Sequence, residues 1–280
     1  MNEKSGVRDS QKLVRTHMVH KYFISNMLES RTMPIGIDEF SVKPLYVEMY
    51  RDEQKAGVAT GFVVKKNDSY YLITNWHVVT CRNPYNNNRP LSTTGVVDPN
   101  ILKVWFHGLN LGNWISKEID LINGTGDKLW FEHELGEEID VVAVPLEISD
   151  DIKIYDIDLT LADFDLMIYP SEAVSIIGFP MGLTSGGKFP IWQTGHVASD
   201  IDIDWNGKPV FLIDATTKSG MSGSPVIAKR VSIYQTSQGN KVGNAVRFLG
   251  VYSGRKISAS GIEVGFVWKP RVISEILSDH

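Results

Sequence analysis

Cysteine is almost absent from this sequence: Cys81 stands alone among 280 residues. A single thiol excludes an intramolecular disulfide framework and fits a reducing, cytoplasmic setting. As a nucleophile Cys81 is a weak candidate, because lone cysteines are mostly buried or incidental. Long apolar runs are also missing. The longest, around Val141 to Leu146, is far shorter than the roughly 18 residues needed to cross a bilayer, so no membrane partner is expected. The opening stretch MNEKSGVRDSQK lacks the apolar centre of a secretory leader. Nor is positive charge concentrated. The net charge is −5, with 28 Lys and Arg against 33 Asp and Glu and no dense basic block, which argues against a surface built for phosphate backbones. Nucleic acid is therefore not an expected partner.

What the chain does have is enough apolar residues, 42% of the total, to bury a substantial core. The spacing of Leu13, Val14, Met18, Tyr22 and Met27 predicts a helix from Asp9 to about Ser30, with Ser10 as its cap. Residues 1–41 are read as an N-terminal helical extension. After Pro34 and Gly36 the pattern becomes short β-rich runs, Leu45 to Tyr50, Val58 to Val64 and Tyr70 to Thr74, separated by polar turns. Asn83 to Asn100, rich in Asn, Pro and Gly, predicts a surface loop, and strand composition returns at Ile101 to Phe106 and Asp140 to Leu146.

An acidic, less patterned stretch between Ile148 and Tyr169 predicts the connection between two halves, about 42–150 and 170–268. The second half resumes with Ala173 to Ile177. Alternating Ile201, Ile203 and Trp205, then Asn206-Gly207, then Val210 to Ile213, predict a hairpin with a type I′ turn. Asp202, Asp204, Asn206 and Gly207 also fall at calcium-loop spacing, but position twelve is Ile213 in place of a bidentate acid, so no metal is expected. Val272 to Leu277, after Pro270, predicts a short terminal helix. The pattern is all-β, a barrel or sandwich, with helices only at its ends.

Three residues carry the chemistry. Ser222 lies in Ser219-Gly220-Met221-Ser222-Gly223-Ser224-Pro225, where flanking glycines permit a tight turn that exposes a side chain and gathers N–H groups. Read alone, that cluster is equally a surface turn. His77 closes the apolar run Leu72 to Val79, and a histidine in such a place is commonly just packed. Asp140 opens Asp140-Val141-Val142-Ala143-Val144-Pro145-Leu146, where a desolvated carboxylate needs a buried partner unless it merely caps the strand. Serine-based acyl transfer needs a hydroxyl, an imidazole, an orienting carboxylate and oxyanion donors. The chain offers one of each, in the order His, Asp, Ser.

With these segments the chain resembles the chymotrypsin-like serine peptidases, and is most similar to the bacterial branch of HtrA proteases and glutamyl endopeptidases. The resemblance covers about residues 45 to 277. It runs through Thr60 to Val64, Leu72 to Val79, Asp140 to Leu146, Ile177 to Gly182, Thr194 to Ser199, Asp214 to Ser219 and Leu249 to Gly254. It implies a double β-barrel over residues 42–280, and an endopeptidase acting through an acyl-enzyme with His77, Asp140 and Ser222 as triad. Gly220 and Ser222 would be the oxyanion donors, and Thr216, Thr217, Tyr252 and Ser253 would border the pocket for the substrate side chain. It implies a protein or peptide substrate and no cofactor.

Departures from the family pattern refine this. Met221 stands where trypsin-type zymogens carry an aspartate that pairs with a freed N-terminus, so that activation route is not expected. Tyr252 replaces the histidine that helps glutamyl endopeptidases hold glutamate. With no charged residue at the pocket positions, a neutral residue is expected before the scissile bond. The order of the triad and Ser224 in place of glycine exclude the G-x-S-x-G elbow of α/β-hydrolases. The competing reading is a catalytically silent peptide-binding or scaffold module. A cytosolic protease needs restraint, which makes the N-terminal extension and the 83–100 loop candidates for a regulatory partner. No peptide-sensing domain of the HtrA kind is expected after the terminal helix.

Overall fold

The computed structural model describes residues 36–257, except 85, 87 and 92–96, together with residues 263–278. The helix expected over 9–30 lies outside the described residues, and the loop expected over 83–100 lies partly outside them.

The first half is one antiparallel sheet built from β1 (Pro44–Arg51), β2 (Gln54–Lys66), β3 (Ser69–Thr74), β4 (Ile101–Gly108), β5 (Trp114–Asp120), β6 (Phe131–Glu132), β7 (Val142–Leu146) and β8 (Ile152–Lys153). Its order is β5-β4-β1-β2-β3-β7-β6, with β8 added to β4. The second half is β9 (Ala173–Gly178), β10 (Ile191–Val197), β11 (Val210–Asp214), β12 (Pro225–Arg230), β15 (Ala245–Ile257) and β16 (Glu263–Trp268), interrupted by a separate hairpin of β13 (Ile233–Thr236) and β14 (Gly239–Val242). Those six strands close into a barrel in the order β10-β11-β16-β15-β12-β9. Two short α-helices, α1 (Trp76–Thr80) and α2 (Arg271–Ile276), and four single 3-10 turns complete the described residues. The mostly-β class read from the sequence is what the chain adopts.

The continuous apolar strands have a simple cause. Along β3 and the run into β7, Leu72, Val142 and Val144 face the core of the first half. Their neighbours Tyr71, Ile73, Val141 and Ala143 face a second core that also takes Ile177, Ile227, Val251 and Trp268 from the barrel. Strands covered on both faces need apolar residues at every position. In the barrel, Val174 and Ile176 of β9 and Val226 and Ala228 of β12 point inward to a third core. Helix α2 seals the seam between the halves with Val272, Ile273 and Ile276, each buried side chain contributing about 1.5–3 kcal/mol by removal from water.

The hairpin expected over 201–213 is corrected. Asn206 and Gly207 do form a turn with φ of 54° and 72°, as a type I′ turn requires, but Ile201 to Trp205 is not a strand. The turn is closed by one bridge, Trp205↔Lys208, and by the Trp205 N–H on Val210 O at 3.0 Å. Farther along, β11 gives its Leu212 carbonyl to Ala198 N and pairs with β10 at Ile213 and Asp214, so Ile201 to Asp204 meet no edge there and Ile203 is left exposed.

Candidate active site

β3 and β7 are antiparallel neighbours in register Thr74↔Val142, so the end of one strand meets the start of the other. That pairing brings His77 and Asp140 together across 63 residues of chain. The apolar run around His77 is not strand throughout: β3 ends at Thr74, and His77 sits in the single turn of α1. The turn stops at Cys81, whose left-handed backbone (φ 52°) lets its N–H close on His77 O.

Asp140 is 1% exposed, and each of its oxygens has a partner. Oδ2 lies 2.7 Å from His77 Nδ1, Oδ1 accepts the His77 backbone N–H at 2.9 Å, and its carbonyl accepts Asn75 Nδ2 at 2.6 Å. A buried carboxylate is tolerable only when satisfied in this way. The imidazole keeps a side-chain exposure of 13%, so it is held from behind and open in front.

In front of it runs a cleft of about 410 Å³ whose lining includes His77, Ser219, Gly220 and Ser222. Ser222 stands just ahead of β12, in a turn that only glycine can make at two places. Gly220 has φ +95° and a Cβ there would sit 2.3 Å from Phe179 O; Gly223 has φ +83° and a Cβ would sit 2.0 Å from Thr60 O.

Three of the turn's carbonyls are anchored by backbone N–H groups. Ser219 O accepts from Met181 N at 2.6 Å, Met221 O from Ser224 N at 3.0 Å, and Ser222 O from Thr60 N at 2.8 Å. Because N–H and C=O point opposite ways in a trans peptide, fixing Ser219 O and Met221 O also fixes the directions of the Gly220 and Ser222 N–H groups. Neither of these N–H groups has an acceptor among the described residues. No hydrogen bond joins Ser222 Oγ to His77 among the described residues, although both line the same cleft.

The four residues expected to border the substrate side chain lie in β15 or just after β11. Thr217 and Tyr252 are buried and joined hydroxyl to hydroxyl. Ser253 is buried, while Thr216 is exposed and its carbonyl accepts Gln193 Nε2 at 3.4 Å. None of the four lines the cleft that holds His77 and Ser222. Tyr252 is tied to the serine turn through its backbone: its N–H reaches Ser224 O, and its carbonyl takes Gly223 N–H.

Sequence reasoning passed over Thr60 and Asn75 as carriers of the site. Both are wholly buried polar residues, and the available signal was a polar side chain inside an apolar run. Cys81 is buried beside the same cleft, and burial pushes its thiol up to about 11, which leaves it protonated and a poor nucleophile. Among the described residues no cluster of His, Cys, Asp or Glu is arranged to hold a metal.

The model of the trypsin-like peptidase domain family matches residues 59–232 of the chain. The chain belongs to that family. No curated protein matches this trypsin-like peptidase. Among solved structures it is similar to the serine endoprotease from Yersinia pestis, at 13% identity over 89% of this chain and 67% of that one, with a TM-score of 0.49. It is also similar to a scabies mite inactivated protease paralogue, at 14% identity over 86% of this chain and 96% of that one (TM-score 0.47). A thermostable serine protease from an extremophilic microorganism is matched at 14% identity over 86% of this chain and 98% of that one (TM-score 0.47).

Proposed function

We propose that this trypsin-like peptidase is a serine endopeptidase in which Ser222 is the nucleophile, His77 the general base and acid, and Asp140 the group that orients the imidazole. The observation that carries the reading is the buried Asp140 carboxylate 2.7 Å from His77 Nδ1, behind a cleft shared with Ser222. With Nδ1–H donating to Asp140, Nε2 is the basic nitrogen and faces the reaction.

Attack by Ser222 Oγ on a peptide carbonyl passes the hydroxyl proton to Nε2 and puts negative charge on the carbonyl oxygen. The N–H groups of Gly220 and Ser222, fixed in direction and without an acceptor among the described residues, are the donors for that charge. Collapse of the intermediate returns the proton from His77 to the leaving amine, and water repeats the sequence to free Ser222. Every step uses this chain's own groups. The absence of charge at Thr216, Thr217, Tyr252 and Ser253 supports a neutral residue before the scissile bond.

One observation favours a second reading, a silent peptide-binding module: Ser222 and His77 are not hydrogen-bonded among the described residues. Catalytic hydrogen bonds are often loose without substrate, so turnover decides. The test is hydrolysis of an unfolded protein substrate by the wild-type, Ser222→Ala and Asp140→Asn proteins. Each variant is expected to lose about 10⁴-fold or more in kcat with its fold intact; equal rates in all three would overturn the reading. Placement in the HtrA-like branch, a cytoplasmic location and a regulatory partner at residues 1–41 or 83–100 belong to the same proposal. Deletion of residues 1–35 is expected to change turnover or oligomeric state.

A further inference from the structure

The cleft in front of His77 extends away from the second barrel into the first half. Its floor is Met49, Ala59, Val78 and Cys81, all buried, and its rim includes half-buried Val58 and exposed Leu91. Apart from the His77 imidazole, no titratable side chain other than the protonated Cys81 thiol is among its described lining. At about 410 Å³ it falls in the size range of ligand pockets, about 300–1,000 Å³. Tyr252 and Ser253, on β15 of the barrel, are not part of it.

The chemistry says which half of a substrate lies here. His77 must hand its proton to the leaving amine, so the leaving half passes over the wall that carries His77. That wall is β1, β2 and α1, whose side chains build this cleft. We infer that the cleft receives the side chain following the scissile bond and selects a bulky aliphatic residue there, of leucine or methionine size. The inference rests on the serine-peptidase reading and adds a specificity that the triad alone does not supply. A small or charged side chain at that position leaves the apolar floor wet or is itself stripped of water, and is disfavoured.

Partitioning of an acyl-enzyme measures this position directly. The protein is acylated with p-nitrophenyl acetate, and the acetyl-enzyme is intercepted with leucinamide, glycinamide or the α-amide of glutamate. The amine nitrogen bonds to the acyl carbon, the Ser222 Oγ–acyl bond breaks, and the proton leaving nitrogen passes through His77 to Oγ. Leucinamide is expected to be acetylated at least about tenfold faster than either competitor. Val58→Trp, which fills the cleft from its half-buried rim, is expected to bring the leucinamide to glycinamide ratio below about threefold. Leu91→Ala, at an exposed position that folding does not depend on, is expected to lower the same ratio about threefold. A normal p-nitrophenol burst with a wild-type ratio near one overturns the inference and leaves the serine-peptidase reading standing. So does an unchanged ratio in both folded variants. Release of p-nitrophenol no faster than that by Ser222→Ala overturns the serine-peptidase reading and this inference with it.

Discussion

The backbone N–H of Thr60, in the first half of the molecule, donates a 2.8 Å hydrogen bond to the carbonyl of Ser222, in the turn that opens β12. The Thr60 side chain repeats the link: Oγ1 donates to Gly220 O at 2.8 Å and accepts from Phe179 N at 3.2 Å, while Thr60 O accepts from Thr74 Oγ1 at 2.9 Å. The residue is fully buried. One threonine thus fixes the serine turn against the strand that leads, through β3, to His77.

Thr60→Val keeps the shape and the backbone bonds but removes the hydroxyl. Gly220 O and Phe179 N then lose a buried partner, at a cost of about 1–3 kcal/mol in stability. Because a displacement of about 1 Å at a reacting centre costs on the order of a hundredfold, kcat is expected to fall by tens to a hundredfold with a much smaller change in KM. Thr60→Ser, which restores the hydroxyl, is expected to recover most of the loss. Denaturant titration and steady-state kinetics on the two variants check both halves of this expectation, and equal kcat in wild type and Thr60→Val contradicts it.

The residues proposed to carry chemistry are readable in the sequence because each has a local mark: glycines around Ser222, an apolar run that includes His77, and one that begins at Asp140. In the structure the runs along β3 and into β7 lie between two cores, since strands covered on both faces do not alternate. What the sequence hid is lateral. Thr60 sits in β2 with no local mark beyond being polar among apolar neighbours, and its role depends on a turn 160 residues away. β5 was missed because Trp114–Asp120 carries Lys117, Glu118 and Asp120 along a largely half-buried edge and shows little alternation. The 201–205 run alternates in sequence, yet only Trp205 meets β11, and the edge beyond Val210 is taken by Ala198 and β10, which only the closed barrel brings near.

Thr217 and Tyr252 share a buried hydroxyl pair. Thr217→Val and Tyr252→Phe are each expected to destabilise the protein by about 1–3 kcal/mol through the polar group left behind. The double variant is expected to be less costly than the sum of the two. Thermal or denaturant unfolding of the four proteins closes the cycle, and strict additivity would show that the pair is not coupled.

His107 is buried against Trp114, Tyr155 and Phe189, with ring centroids 4.3, 5.2 and 5.9 Å away. Burial pushes its imidazole down to about 4, against an opposing pull from the Val42 backbone, and neither ring nitrogen makes a full hydrogen bond among the described residues. The unfolded chain, with an ordinary histidine near 6.5, therefore binds the proton first as pH falls. Stability contributed by neutral His107 is full above about pH 6.5 and declines toward pH 4, by up to about 3 kcal/mol. Replacing it by phenylalanine is expected to flatten the stability profile across that window relative to wild type. Superimposable profiles would exclude the role.

Reaction of the full chain with a fluorophosphonate, followed by peptide mass spectrometry, tests in one step whether Ser222 is an activated nucleophile. A single adduct on Ser222 is expected in the wild type, none in Ser222→Ala, and slower labelling in Asp140→Asn. A folded wild-type protein that takes no label, or takes it on another residue, would rule out Ser222 as the nucleophile.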